Sequence, residues 1–193
     1  MLWVDFLPIF SFSVNKVILR NHKYIFLFVS LSFITQLLSL ILYKLGHQTA
    51  NLIISYHILN TILLIVYYHK FNDSPFRFFL LLSLSYFISI IVCLIFNFTI
   101  EDYAIVSMVI ILILSIYSFI NIIYKNDNKH SRLNTDFNFS ILMYNSTALI
   151  LFFILPFLDK NSQYIWVFHN IIEMISKLII TYSIWKLPSK SIS

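Results

Sequence analysis

The chain has 193 residues, 60% hydrophobic and 11% charged, against roughly 45–50% and about 25% in soluble domains. A water-soluble fold could not cover that much apolar surface, so the bilayer must act as solvent for most of it. The net charge of +5 comes from lysines and arginines scattered singly, which excludes a nucleic-acid-binding tract and reads as a topology signal.

In chain order, residues 1–22 come first. Trp3, Phe6, Phe10 and Phe12, interrupted by Asp5 and Pro8, suit a short amphipathic segment lying in the membrane interface; a seventh, tilted span is the alternative. No basic region precedes the apolar part and no small-x-small site follows it, so a cleaved signal peptide is not expected. Residues 23–186 then hold long apolar stretches. Six spans are predicted, at about 24–43, 49–69, 77–97, 103–124, 138–158 and 164–185. Each is long enough for a hydrocarbon core about 30 Å thick at about 1.5 Å per residue. Residues 125–136 read as a solvated loop rich in turn formers, Asn126, Asp127, Asn128 and Asn134. Residues 187–193 form a tail.

The predicted fold class is therefore an all-α integral membrane protein, a bundle of six transmembrane helices with no separate soluble domain. With the N-terminus inside, the inner segments hold Lys16, Arg20, Lys23, Lys70, Arg77, Lys125, Lys129, Arg132, Lys186 and Lys190. The outer loops hold only Lys44 and Lys160, and Lys177 is intramembrane. Such asymmetry in short loops predicts both termini in the cytoplasm of a prokaryotic cell, with the chain in its inner membrane. Tyr and Trp near the span ends fit the interfacial belts.

With Gly46 the sole glycine, close packing must use other small residues. Ser85, Ser89 and Cys93 form a small-residue line down the third span. Ala104, Ser107, Ser115 and Ser118 form another down the fourth, and Ser32, Thr35, Gln36 and Ser39 make a polar face on the first. Cys93 is the only cysteine, so no disulfide forms within the chain.

Charge inside a span is the sharpest signal. His169, Glu173 and Lys177 are spaced one turn apart on the last span. Ten Leu, Ile, Val or Phe residues between Ile165 and Ile184 favour insertion by about 3–6 kcal/mol. Glu173 and Lys177 oppose it by about 5–7 kcal/mol, so this span needs partners. His57 and Asn60 on the second span and Asn145 on the fifth complete a polar cluster with His169, Glu173 and Lys177. It reads either as a structural clasp or as a pocket for a small ligand, since ionisable groups at membrane depth usually mark function.

The expected function is a sensor or accessory module that binds a small ligand at this cluster or a partner protein at its cytoplasmic loops. A small-solute or proton-coupled transporter or channel is the alternative. A membrane enzyme is the third reading, because His57, His169 and Glu173 supply the ligand types of a zinc site and the two histidines could clamp a haem. No catalytic or nucleotide-binding fingerprint is present, so neither cofactor nor metal is expected. The lipid bilayer is the main partner, and homo-oligomers are compatible with the pattern.

Overall fold

The computed structural model describes residues 2–14, 16–72, 76–125, 132–154 and 163–187. Regular structure among them is entirely helical: α1 (Leu2–Val14), α2 (Lys16–Asn21), α3 (Lys23–Lys44), α4 (Ala50–Phe71), α5 (Phe76–Ile95), α6 (Ile100–Lys125), α7 (Arg132–Ile154) and α8 (Gln163–Lys186). Helices α3 to α7 are long and apolar enough to cross a membrane. The chain is a multi-pass membrane protein. Helix α8, with 24 residues, spans about 36 Å at the standard rise and carries Glu173 and Lys177 at its middle.

Local chemistry sets the ends of the helices. At α3 the backbone turns left-handed at Gly46, φ 74°, and His47 N–H donates to Leu42 O at 2.9 Å. At α5 the same motif uses Asn97, φ 51°, with Phe98 N–H donating to Cys93 O. Both satisfy terminal carbonyls that the helix leaves open. Helix α6 starts on a capping box in which the Asp102 carboxylate accepts from the Thr99 N–H at 2.8 Å and from its hydroxyl at 2.9 Å.

The main contacts trace a ring, α1–α3–α4–α6–α7–α8 and back to α1, with α5 outside it against α4 and α6. Helix α6 is central, and its stripe of Ala104, Ser107, Ser115 and Ser118 is buried. Small side chains there let α4 and α7 approach closely, which matters in lipid because packing, not apolar transfer, drives helix association. Phe137 is fully buried and meets Phe28 and Tyr67 edge-on, both at 5.2 Å between ring centres. The outer surface is apolar: Leu81, Leu94 and Ile95 on α5 are all more than 60% exposed, as a lipid-facing helix requires.

Three details differ from the expectation drawn from the pattern. Helix α7 begins at Arg132, six residues before the predicted span, and takes up part of the presumed loop. Its polar first turns are stabilised because Arg132 pairs with Asp136 at 3.6 Å and the Ser183 hydroxyl donates to the Asp136 carboxylate. The second concerns the third predicted span, where α5 packs through Phe79, Leu82, Tyr86, Ile90 and Cys93. Ser85 points outward and Ser89 donates to its own helix at Ser85 O. Aromatic rings fill that seam, so only Cys93 of the three small residues lies on it. Finally, α1 is a helix packed on α3 and α8. It buries Phe12 completely, and its Ser11 hydroxyl accepts from Trp185 Nε1 at 2.7 Å, while Phe6, Phe10 and Val14 stay exposed.

Candidate functional site

Glu173 and Lys177 lie four residues apart on α8, in the order that favours pairing on a helix. Lys177 Nζ is 2.5 Å from Glu173 Oε1, and the two side chains are only 15% and 16% exposed. The same Oε1 accepts a hydrogen bond from Gln36 Nε2 on α3 at 3.0 Å. The pair therefore ties a second helix to α8, and a carboxylate with two donors is far better satisfied away from water than one with none.

Beside the pair is a cavity of about 40 Å³, bounded by Ser32, Tyr56, Ser140, Tyr144 and Ser176 with the two charged residues. It holds roughly one or two waters. The walls are hydrogen-bonded: the Tyr56 hydroxyl meets Ser32, and the Ser176 hydroxyl donates to Ser140 O at 3.3 Å. Tyr56 and Tyr144 also line a larger, open cavity of about 500 Å³ together with Thr35, Gln36, Ser39, Tyr43, Thr49 and His57. This vestibule starts at the α3–α4 connection, where Tyr43 is 78% exposed. Gln36 is seven residues deeper along α3, about 10 Å at the standard rise. The vestibule thus ends on the amide that holds Glu173.

The six cluster residues expected from the sequence fall into different places. Glu173 and Lys177 are in contact, and His57 lines the vestibule whose floor is Gln36. Asn60 and Asn145 are buried and line neither cavity. Asn145 Nδ2 donates to Ile141 O of its own helix at 2.8 Å. Asn60 Oδ1 has no hydrogen-bond partner among the described residues. The backbone of His169 belongs to α8, while its side chain lies outside the described residues. Among the described residues no three His, Cys, Asp or Glu side chains form a metal-ligand group. The loop between α6 and α7, residues 126–131, expected to meet a protein partner, also lies outside them.

Gln36, Tyr56 and Tyr144 are site residues that the pattern does not single out. Gln36 carries a usable signal, because a primary amide in the inner part of a span must find a partner. Tyrosine in a Tyr-rich chain carries none.

A second buried network has a different character. Tyr68 on α4, Ser115 on α6 and Asn138 on α7 are fully buried. The Tyr68 hydroxyl donates to Asn138 Oδ1 at 2.6 Å and lies 2.9 Å from Ser115 Oγ, and Asn138 Nδ2 donates to Ser115 O at 3.2 Å. These groups satisfy one another: each donor has an acceptor, and three helices are held in register.

At the basic end of the bundle, His22 Nδ1 and Asn134 Oδ1 are 3.1 Å apart, joining the start of α3 to the start of α7. Burial pushes the imidazole below its ordinary 6.5, and the bond to Asn134 partly opposes this. The unfolded chain therefore takes up a proton near pH 6.5 that the folded chain resists, so stability falls as pH drops through that value. Thermal unfolding in detergent is expected to show a midpoint that declines between about pH 7 and pH 5.5. His22→Gln should flatten that decline; an identical pH profile would show that His22 is not responsible.

Comparison with protein-family models, with curated proteins and with solved structures finds no match to this chain.

Proposed function

We propose that this protein is a six-span sensor or accessory module of a prokaryotic inner membrane, with both termini cytoplasmic and α1 lying near the interface while packed against α3 and α8. It binds a small polar ligand that enters the vestibule from the outer face and is read at Gln36, Glu173 and Lys177. The observation that supports this most is the vestibule itself. A volume of about 500 Å³ lies within the usual range for small-molecule sites, and the cavity leads to a charged pair that lipid alone would not tolerate. A ligand that takes a hydrogen bond from Gln36 or donates to Glu173 alters the contact between α3 and α8. Both helices reach the basic end, where a cytoplasmic partner would sense the change. The polar groups that line such a cavity fix a ligand's orientation rather than supply bulk affinity.

Thiol accessibility tests the reading. With Cys93 replaced by serine, Ser39→Cys should react with a membrane-impermeant thiol reagent added from outside and resist it from the cytoplasmic side. Thr35→Cys, one turn deeper, should react more slowly from the same side. Reaction from the cytoplasm alone would overturn both the orientation and the vestibule.

One observation favours a transporter as the second reading. The smaller cavity beyond the Gln36–Glu173 bond shares Tyr56 and Tyr144 with the vestibule, as successive compartments of an occluded path would. Proteoliposomes should then show pH- or ion-dependent solute flux that Glu173→Gln abolishes. A sensor shows no flux in the same assay and co-purifies with a partner that grips its cytoplasmic loops.

A further inference from the structure

At the opposite end from the vestibule mouth, a pocket of about 180 Å³ opens between the start of α3, the end of α4 and the start of α7. Its polar walls are Asn21, His22, Tyr24, Tyr67, Lys70 and Asn134, and none of the described residues that line it carries a carboxylate. Neither α3 nor α7 has an acidic residue in its first turn, and the α3 N-cap His22 makes no side-chain capping bond. Among the described residues, the partial positive charge at the start of α3 and of α7 therefore meets no acidic side chain in the first turn. Lys70 Nζ adds a full charge from α4, 5.0 Å from the centre of the Tyr24 ring, and Lys23 Nζ lies 5.4 Å from the same centre. The one carboxylate on α7, Asp136, is engaged by Arg132 and Ser183.

A second, independent observation comes from Tyr67. The residue is 6% exposed, yet its buried hydroxyl has no hydrogen-bond partner among the described residues. Tyr67 lines the pocket, and a buried donor without an acceptor is the kind of group that a bound acceptor completes.

We propose that this pocket binds a phosphate group, with Lys70 as its charged partner, Tyr67 and Asn21 as neutral donors, and the first turns of α3 and α7 as the dipolar backing. An anionic lipid headgroup and a soluble phosphate offer the same oxygens, and basic pockets between spans suit either. The pocket shares no residue with the vestibule, so phosphate binding here does not depend on a ligand in the vestibule.

The test uses the full chain in a maltoside detergent, which carries no phosphate. Inorganic phosphate is titrated at constant ionic strength against chloride, and phosphatidylglycerol is titrated separately in mixed micelles against uncharged diacylglycerol. The midpoint of thermal unfolding should rise saturably with at least one of them. A response to phosphatidylglycerol alone assigns a lipid headgroup; a response to inorganic phosphate, with or without the lipid, assigns a soluble phosphate. Lys70→Ala should weaken the apparent affinity about tenfold and Tyr67→Phe about fivefold. Arg77→Ala, an exposed basic change outside the pocket, should leave it unchanged. Tyr67→Phe keeps the packed ring and carries the test if Lys70→Ala does not fold. No saturable rise with either probe, or an equal loss in Arg77→Ala, overturns the proposal.

Discussion

Glu173→Leu is expected to lower the thermal unfolding midpoint on the order of 10 °C and to reduce expression. The change leaves Lys177 without the carboxylate 2.5 Å away and removes the acceptor of the Gln36 amide. Breaking a buried pair by removing one partner costs about 3–5 kcal/mol, and a chain of this size loses about 2–4 °C per kcal/mol. Adding Lys177→Leu should recover most of this loss, because apolar replacement of both charges is often neutral or stabilising. Recovery should stop short by about 1 kcal/mol, since Gln36 Nε2 still lacks its acceptor. The triple change with Gln36→Leu should close that gap. A double variant as stable as the wild type would show that the Gln36 bond contributes nothing. The same series separates scaffold from site. If the vestibule serves a ligand, the triple variant folds but no longer responds to it; if the ladder is only a clasp, it folds and functions. Full function in the triple variant would end the ligand reading.

Tyr68→Phe should lower the midpoint by an amount corresponding to about 1–2 kcal/mol, since it removes the donor to Asn138 Oδ1 at 2.6 Å and leaves that oxygen buried. Asn138→Ala should cost more, about 2–4 kcal/mol. It deletes bonds to both Tyr68 and Ser115 and leaves a small void where the residue was fully buried. Neither residue lines the vestibule, so thiol labelling at Ser39→Cys should be unaffected in both variants. An unchanged midpoint in Tyr68→Phe would mean that Asn138 finds another donor in the α4–α6–α7 seam. Reduced labelling would mean instead that this seam shapes the vestibule.

The two networks explain why one polar residue in a span is not like another. His57, Asn60 and Thr61 occupy a single arc of α4 in the sequence, yet the fold divides them. His57 faces the vestibule, whereas Asn60 and Thr61 are at most 7% exposed, and the Thr61 hydroxyl donates to His57 O at 2.8 Å. Neighbours on one helix face sit about 40–60° apart in projection, enough to place them against different helices. Gln36 shows the converse. In the sequence it belongs to a polar stripe with Ser32, Thr35 and Ser39 that reads as a packing seam, and only the approach of α8 makes it the partner of Glu173.

The sequence by itself determined that the chain lives in a membrane, that its helices have the lengths they do, and where most of them begin and end. Hydropathy and span length are local quantities set by the bilayer, so α3 to α6 lie within three residues of the predicted limits. It also marked Glu173 and Lys177, because a charge in a span stands out against any composition. Only the tertiary structure decided who meets them. Helix order around the ring, the early start of α7 on its Asp136–Ser183 contact, the aromatic seam of α5 and the joining of Gln36 to Glu173 all depend on residues far apart in the chain, up to 174 positions for the Ser11–Trp185 bond that closes the ring. In lipid every apolar face is equally comfortable against a neighbour or an acyl chain. The choice among them falls to shape and to a few hydrogen bonds, and those come into existence only when the helices touch.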